Sequence, residues 1–160
     1  MIFNELIGKT IVGFYSLHLK EESECFDLTD TLIIKFENNK MLQVLIEDPY
    51  KKTSYITRQS DIEIWGDFEP IRTDLIPHKN LVKCPFLVEE VITYCTTDPV
   101  ITGLWSDANN NSGKDYILGS IIKNIKEEFF IRTAGEDIVI ESVADAKAFF
   151  KLCNLEYIEC

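Results

Sequence analysis

Alternating apolar and polar side chains mark residues 31–47 as a β-hairpin. Two alternating segments flank Asn38-Asn39-Lys40, and Asn tolerates the left-handed backbone that such a loop needs. In one register a whole side of the ribbon is apolar, whereas a shift of one residue would place Gln43 among these side chains. That register has the cross-strand pairs Phe36–Leu42, Ile34–Val44 and Leu32–Ile46.

A second hairpin is predicted near the C-terminus, with Ala134-Gly135 as its turn. Pairing about that turn sets Arg132 against Asp137 as an exposed ion pair, worth at most about 1 kcal/mol. The same register forms the apolar pairs Ile131–Ile138 and Phe129–Ile140. Like the first hairpin, this one would present one apolar side to a core.

A helix is predicted from Val143 to about Cys153. Ser142 is a favourable N-cap, and Asp145 stands where a near capping box needs an acidic residue. Apolar residues recur at three-to-four spacing and predict the face that packs on a sheet: Ala146, Phe149, Phe150 and Cys153.

The other patterns are weaker but mostly extended. They predict a helical turn at 2–7, an acidic loop at 21–27, a long loop at 66–80, and strands at 9–20, 61–65, 88–94, 100–105, 115–122 and 155–158. The sequence therefore predicts an α+β fold, mainly antiparallel β in hairpins and a meander, with the C-terminal helix packed on the sheet.

We expect residues 1–160 to form a single domain. Residues 6–48 and 81–122 share a hydrophobic pattern, which suggests a weak internal duplication into two similar halves. The alternative is that any two β segments resemble each other in such a pattern.

The net charge of −11 narrows the classes of partner. Nucleic acids and anionic lipids would be repelled, so neither nucleic-acid binding nor membrane binding is expected. A protein partner with a basic surface is the natural complement. The alternative is that the acidic residues only keep the protein soluble, and this simpler interpretation stays open.

Hydropathy and amino-acid composition give expectations about the cellular compartment and the source of the protein. No apolar run reaches the roughly 18 residues of a membrane helix, and the first residues lack a basic leader, so we expect a cytoplasmic protein. The abundance of Ile, Lys and Asn, with only three Arg, suggests a bacterial source. Five scattered cysteines predict free, mostly buried thiols.

No cofactor or metal is predicted. Residues 107–115 begin like an oxygen-lined calcium loop, but Leu118 stands where the bidentate carboxylate should be, so a plain strand connection is the better interpretation. The chain has no Cys-x-x-Cys pair for zinc, and no glycine-rich phosphate loop.

Two functional hypotheses remain. The first is a non-catalytic acidic interaction module, immunity-like or inhibitor-like, that binds a basic protein. Its expected contacts are Glu21, Glu22, Glu24 and Asp27, with Glu127 and Glu128 second. The second is a small enzyme or ligand carrier with a pocket between the sheet and the C-terminal helix. Its candidate groups are His18, His78, Cys84, Arg58 and Arg132, with Cys84 and His78 the nearest thiol–imidazole pair in sequence.

Overall fold

Two antiparallel β-sheets share one apolar core, and a helix near the C-terminus packs on the second sheet. The structure, a computed structural model, describes residues 3–21, 24–45, 53–56, 72–77, 82–96, 105–106, 116–134 and 137–160. The predicted α+β fold, mainly antiparallel β with a C-terminal helix on the sheet, is confirmed. The division into two similar halves stays a prediction.

The first sheet holds the N-terminal strands. They are β1 (Thr10–Glu21), β2 (Glu24–Phe36), β3 (Met41–Leu45), β4 (Thr53–Ile56), β5 (Arg72–Pro77) and β6 (Phe86–Leu87). The strand order is β4-β3-β2-β1-β5, and β6 pairs with the start of β1. A 3-10 turn at Asn4–Leu6 precedes β1, as predicted for residues 2–7. Phe3 and Leu6 in this turn are fully buried at one end of the core.

The second sheet holds the C-terminal strands. They are β7 (Glu90–Thr96), β8 (Trp105–Ser106), β9 (Tyr116–Lys123), β10 (Glu128–Ala134), β11 (Asp137–Glu141) and β12 (Ile158–Glu159). The order is β11-β10-β9-β7-β12, and β8 pairs with β9. The strands predicted at 88–94, 115–122 and 155–158 correspond to β7, β9 and the shorter β12.

The inner faces of both sheets supply the main core, as the alternation predicts. Its members from the first sheet include Ile11, Phe14, Leu32, Ile34, Leu42 and Val44, and from the second Ile122, Phe129, Ile131, Ile138 and Ile140. Phe129 lies edge-on to Phe14 and Phe86, with ring centroids 5.5 and 5.1 Å away, so the two sheets meet through aromatic contacts.

The helix α1 (Val143–Leu152) covers the reverse face of the second sheet. Ser142 is its N-cap as predicted, because the Ser142 Oγ accepts a hydrogen bond from the Asp145 N–H at 3.1 Å. Val143, Ala146 and Phe150 are the buried helix residues. They pack in a second cluster together with Tyr94, Leu118, Ile121, Phe130 and Leu155.

One segment of chain belongs to both sheets. Phe86 pairs with Ile11 of β1, and the Val88 N–H donates to the Lys9 carbonyl at 3.0 Å. One residue later the Glu89 N–H donates to the Lys123 carbonyl, and the chain continues as β7 beside β9. Residues 86–96 therefore tie the two sheets together through backbone hydrogen bonds.

The first predicted hairpin forms, but its register is two residues from the predicted one. Ile34 pairs with Leu42 and Leu32 with Val44, and the predicted Phe36–Leu42 pair is wrong. The Phe36 N–H donates to the Lys40 carbonyl, so the loop is residues 37–39, with Asn39 at φ 62°. A two-residue shift keeps every side chain on its face, which is why the apolar side is unchanged.

The reverse face of the same hairpin is also buried. Gln43, expected to face away from the core, is 0% exposed opposite Ile33, which is equally buried. Leu17, Ile33 and Met41 form a third, smaller buried cluster on this face. The polar positions of the hairpin pattern thus do not mark a solvent-facing side.

The second predicted hairpin is also displaced by two residues. Ile131 pairs with Ile140, and Arg132 lies opposite Val139 rather than opposite Asp137. The expected exposed Arg132–Asp137 pair is therefore wrong. The ladder continues to the pair Ala134–Asp137, so the turn begins after Ala134.

Two predicted loops contain strands. The stretch at 66–80 includes β5, whose last residue, Pro77, pairs with Tyr15 at the edge of the sheet, where proline is tolerated. The expected acidic loop at 21–27 is mostly strand, because β1 runs to Glu21 and β2 begins at Glu24. The strand predicted at 61–65, and residues 100–104 of the one predicted at 100–105, lie outside the described residues.

Candidate functional site

The end of the β1–β2 hairpin holds the predicted primary contacts. Glu21 closes β1 and Glu24 opens β2, and the register pairs these two residues directly. Asp27 stands three positions further along β2, opposite His18. Glu22 lies outside the described residues. We call the described residues at this end of the ribbon, 21 and 24–27, the hairpin tip.

Like charges at directly opposite strand positions cost stability rather than add to it. The Glu21–Glu24 pair therefore does not help the hairpin to form. Between positions 20 and 30 the chain has five acidic residues (Glu21, Glu22, Glu24, Asp27 and Asp30) and one basic residue, Lys20. The hairpin tip is the most one-sided charge concentration along the strands of the first sheet.

The predicted secondary contacts, Glu127 and Glu128, are exposed at the turn between β9 and β10. Asn124 shapes this turn, because its side-chain oxygen accepts hydrogen bonds from the Lys126 and Glu127 N–H groups at 2.8 and 3.0 Å. Glu128 is the first residue of β10, where the sequence places the start of a strand.

The structure does not bring the two acidic groups together. The β9–β10 turn adjoins the beginning of β1, because Lys9 and Lys123 both hydrogen-bond to the segment at Val88–Glu89. The hairpin tip lies at the other end of β1, whose 12 residues span roughly 35 Å. One partner surface of ordinary size would contact one group or the other.

The β9–β10 turn differs in character from the hairpin tip. Ile125 is 85% exposed there, and its N–H donates to Glu89 Oε2 at 2.6 Å. Lys123 forms an ion pair with Glu90 at 2.7 Å, and Lys126 follows in the turn. Positive and negative side chains are mixed here, so the charge is less one-sided than at the hairpin tip.

The catalytic alternative names five residues, and the structure describes three of them, His18, Cys84 and Arg132. His78 and Arg58 lie outside the described residues. His18 belongs to β1, where the register pairs it with Asp27 of β2 and Asp74 of β5.

Arg132 is engaged in the structure rather than presented to a ligand. It is 7% exposed, and its Nε donates to Glu141 Oε1. Its Nη1 donates to the Thr133 carbonyl at 3.1 Å, and the guanidinium lies 4.0 Å from the ring centroid of Phe149. This cation–π contact links β10 to α1. Arg132 therefore anchors the helix to the sheet.

Cys84 is exposed, but its surroundings oppose nucleophilic chemistry. Desolvation raises the pKa of the Cys84 thiol above its ordinary value of 9.0, and the negative charge of Glu127 raises it further. A nucleophilic cysteine needs the opposite shift, which a neighbouring cation or base supplies.

The space between the second sheet and α1 is filled by aromatic rings. Phe130 meets Phe150 edge-on at 5.6 Å between centroids and stacks on Tyr94 at 6.1 Å. Tyr157 closes the cluster, with its ring 5.2 Å from that of Phe150. A ligand pocket at this position has no support from the described side chains.

An open groove of about 390 Å³ lies near the start of β1. Its lining includes Lys9, Thr10, Glu37 and Asn38. Lys9 Nζ sits 5.3 Å from the ring centroid of Phe36, and desolvation lowers the Lys9 pKa, partly offset by Glu5. The groove offers one cation and one carboxylate, which does not select a ligand class.

Cys95 and Cys160 form a disulfide, which corrects the expectation of free thiols. They are 65 residues apart in the chain, with Cα atoms 6.0 Å apart. Cys84 and Cys153 are free, and both are exposed rather than buried. Sequence reasoning missed this pairing because no local motif joins residues so distant.

Within the residues whose side chains the structure describes, no cluster of three or more His, Cys, Asp or Glu could hold a metal ion. Residues 107–115, which begin like a calcium loop in sequence, lie outside the described residues. In the same described part, none of the helices has the length and apolar character needed to cross a membrane.

Comparison with known proteins yields no relative. No protein-family model matches the chain, and searches of curated proteins and of solved structures found no significant match.

Proposed function

We propose that this chain is a non-catalytic interaction protein whose hairpin tip docks on the basic surface of a partner protein. The observation that carries the proposal is the direct register pairing of Glu21 with Glu24 at the end of the longest ribbon in the first sheet. This pair is unfavourable in the isolated molecule and becomes favourable when a partner supplies positive charge.

The wider character of the chain supports the same proposal. A net charge of −11 accelerates encounter with a basic protein and disfavours nucleic acids. We include in the proposal a bacterial cytoplasmic setting and an immunity-like or inhibitor-like role, in which a small acidic protein blocks a basic one. Glu127 and Glu128 form a secondary contact in this scheme.

Two charge-reversal variants that have the same net charge test the proposal. Glu21→Lys/Glu24→Lys alters the hairpin tip, and Glu127→Lys/Glu128→Lys makes the same change in net charge at the β9–β10 turn. Each variant and the wild-type chain are immobilised and exposed to lysate of the source cells, and the retained proteins are quantified by mass spectrometry. We expect a basic protein whose retention falls roughly tenfold with the first variant and much less with the second.

The association rate of that purified partner is then measured in about 0.05 M and about 0.5 M NaCl, across which screening shortens the reach of charge. A steep fall in rate supports electrostatic docking. Equal retention by the wild-type chain and the hairpin-tip variant, or a rate that salt leaves unchanged, would refute the proposal. Circular dichroism confirms that both variants keep the β-sheet signal.

A further inference from the structure

The C-terminal strand β12 is held on the molecule by very little besides the Cys95–Cys160 disulfide. β12 has two residues, which pair with Tyr94 and Cys95 at the edge of β7. One further backbone bond runs from the Cys160 N–H to the Thr93 carbonyl at 3.0 Å. Ile158 is 62% exposed, so the strand buries little apolar surface.

Side-chain contacts add only a few attachments. The Tyr94 hydroxyl donates to Glu159 Oε1 at 3.4 Å, a long hydrogen bond. The Tyr157 ring lies edge-on to Tyr94 at 5.4 Å and against Phe150 at 5.2 Å, but Tyr157 is itself 37% exposed. A two-residue strand with such contacts is marginal without a covalent link.

We propose that the Cys95–Cys160 disulfide is a redox-sensitive latch that keeps β12 on the edge of β7 when oxidised and releases it when reduced. This inference does not depend on the proposed partner binding, because the latch lies on the second sheet and the hairpin tip on the first. Its reactant is a dithiol reductant, either a small molecule or a dithiol protein.

The two cysteine residues differ in exposure, which sets the expected order of the reaction. Cys95 is 4% exposed, whereas Cys160 is exposed. A reductant thiolate attacks the Cys160 sulfur, forms a mixed disulfide, and expels Cys95 as a thiolate that takes up a proton. The second thiol of the reductant then displaces Cys160. Two cysteine thiols are formed, and the reductant leaves as its own disulfide.

Release of β12 changes which backbone groups and side chains the second sheet exposes to solvent. The Thr93 carbonyl loses its partner, and β7 becomes the edge strand of the sheet within the described residues. The Tyr94 and Phe150 rings lose the contact with Tyr157. The reduced form therefore exposes a strand edge beside aromatic surface, and the oxidised form covers both.

Hydrogen exchange followed by mass spectrometry tests the latch directly. The oxidised chain and the chain reduced with a phosphine are compared through peptides that cover residues 93–95 and 155–160. We expect exchange in both peptides to rise roughly tenfold or more on reduction, because local opening becomes frequent. Peptides from the β10–β11 hairpin serve as internal reference and should change less than about twofold.

Two variants separate the latch from the thiols of Cys84 and Cys153. Cys160→Ser should exchange like the reduced chain whether or not reductant is present. Cys84→Ser/Cys153→Ser removes two free thiols and should respond to reductant as the wild-type chain does. Unchanged protection of residues 93–95 and 155–160 after reduction would overturn the proposal. So would disulfide mapping that finds no Cys95–Cys160 bond in the chain equilibrated with oxidised glutathione.

Discussion

The two sheets have similar inner faces but different reverse faces. On the second sheet, α1 covers the reverse face through a cluster centred on Phe130 and Phe150, and Arg132 joins strand to helix. On the first sheet, the buried reverse-face cluster consists of Leu17, Ile33 and Met41, with Gln43 buried alongside. Alternation therefore defines the shared core, whereas tertiary packing determines what the other side of a strand contacts.

Truncation of one residue on each reverse face gives the strongest test of this difference. Phe130→Ala should lower the free energy of unfolding by about 4 kcal/mol, because it removes a fully buried ring from the aromatic cluster beneath the helix. Ile33→Ala should cost about 2 kcal/mol, because its cluster is smaller. Urea unfolding of both variants provides the values. Equal losses of unfolding free energy would show that the two reverse faces contribute alike to stability.

The two sheets also differ in how closely neighbouring atoms approach a glycine, Gly119 in the second sheet and Gly13 in the first. A Cβ added at Gly119 of β9 would overlap the Phe130 ring and the Ile131 carbonyl oxygen, whereas one at Gly13 of β1 would meet the far end of the Tyr15 side chain, 2.8 Å from its hydroxyl. We expect Gly119→Ala to cost about 2–3 kcal/mol and Gly13→Ala less than about 1 kcal/mol. Thermal unfolding ranks the two variants. A reversed order would show that the second sheet is the more adaptable one.

The smallest expected effect concerns Cys84, which lies two residues before β6 in the chain. Because desolvation and then Glu127 raise the thiol pKa, the rate of Cys84 alkylation by iodoacetamide should reach half its maximum above pH 9.0. Glu127→Gln should move this midpoint down, and Glu89→Gln serves as the control. Peptide-resolved mass spectrometry follows the reaction. Faster alkylation of Cys84 than of a model thiol at neutral pH would contradict the expected inertness and revive the catalytic alternative.

The sequence predicted which side chains face the core but not how the strands align. Both hairpins are displaced by two residues from the predicted registers, and such a shift leaves every side chain on its face. Alternation therefore carries no information that could detect it. In the first hairpin the turn determines the register. Asn38 and Asn39 both tolerate the left-handed backbone conformation, and Asn39 is the residue that adopts it.

Other differences arise from contacts between distant parts of the chain. Arg132 was expected at the surface, but Glu141 and Phe149 accommodate its charge in a buried position. The Cys95–Cys160 pair has no local signature, and β5 was hidden by the prolines of its segment. The acidic residues of the candidate site could be predicted from the sequence, but the structure places one group at the end of β1 and the other at the β9–β10 turn, which adjoins the start of β1.

Residues 86–96 are bonded to β1 at one end and to β9 at the other. This shared segment determines how the protein unfolds. Neither sheet can unfold while the other stays folded, because unfolding of either sheet disrupts the segment that they share. Heat or denaturant should therefore unfold both sheets in one cooperative transition.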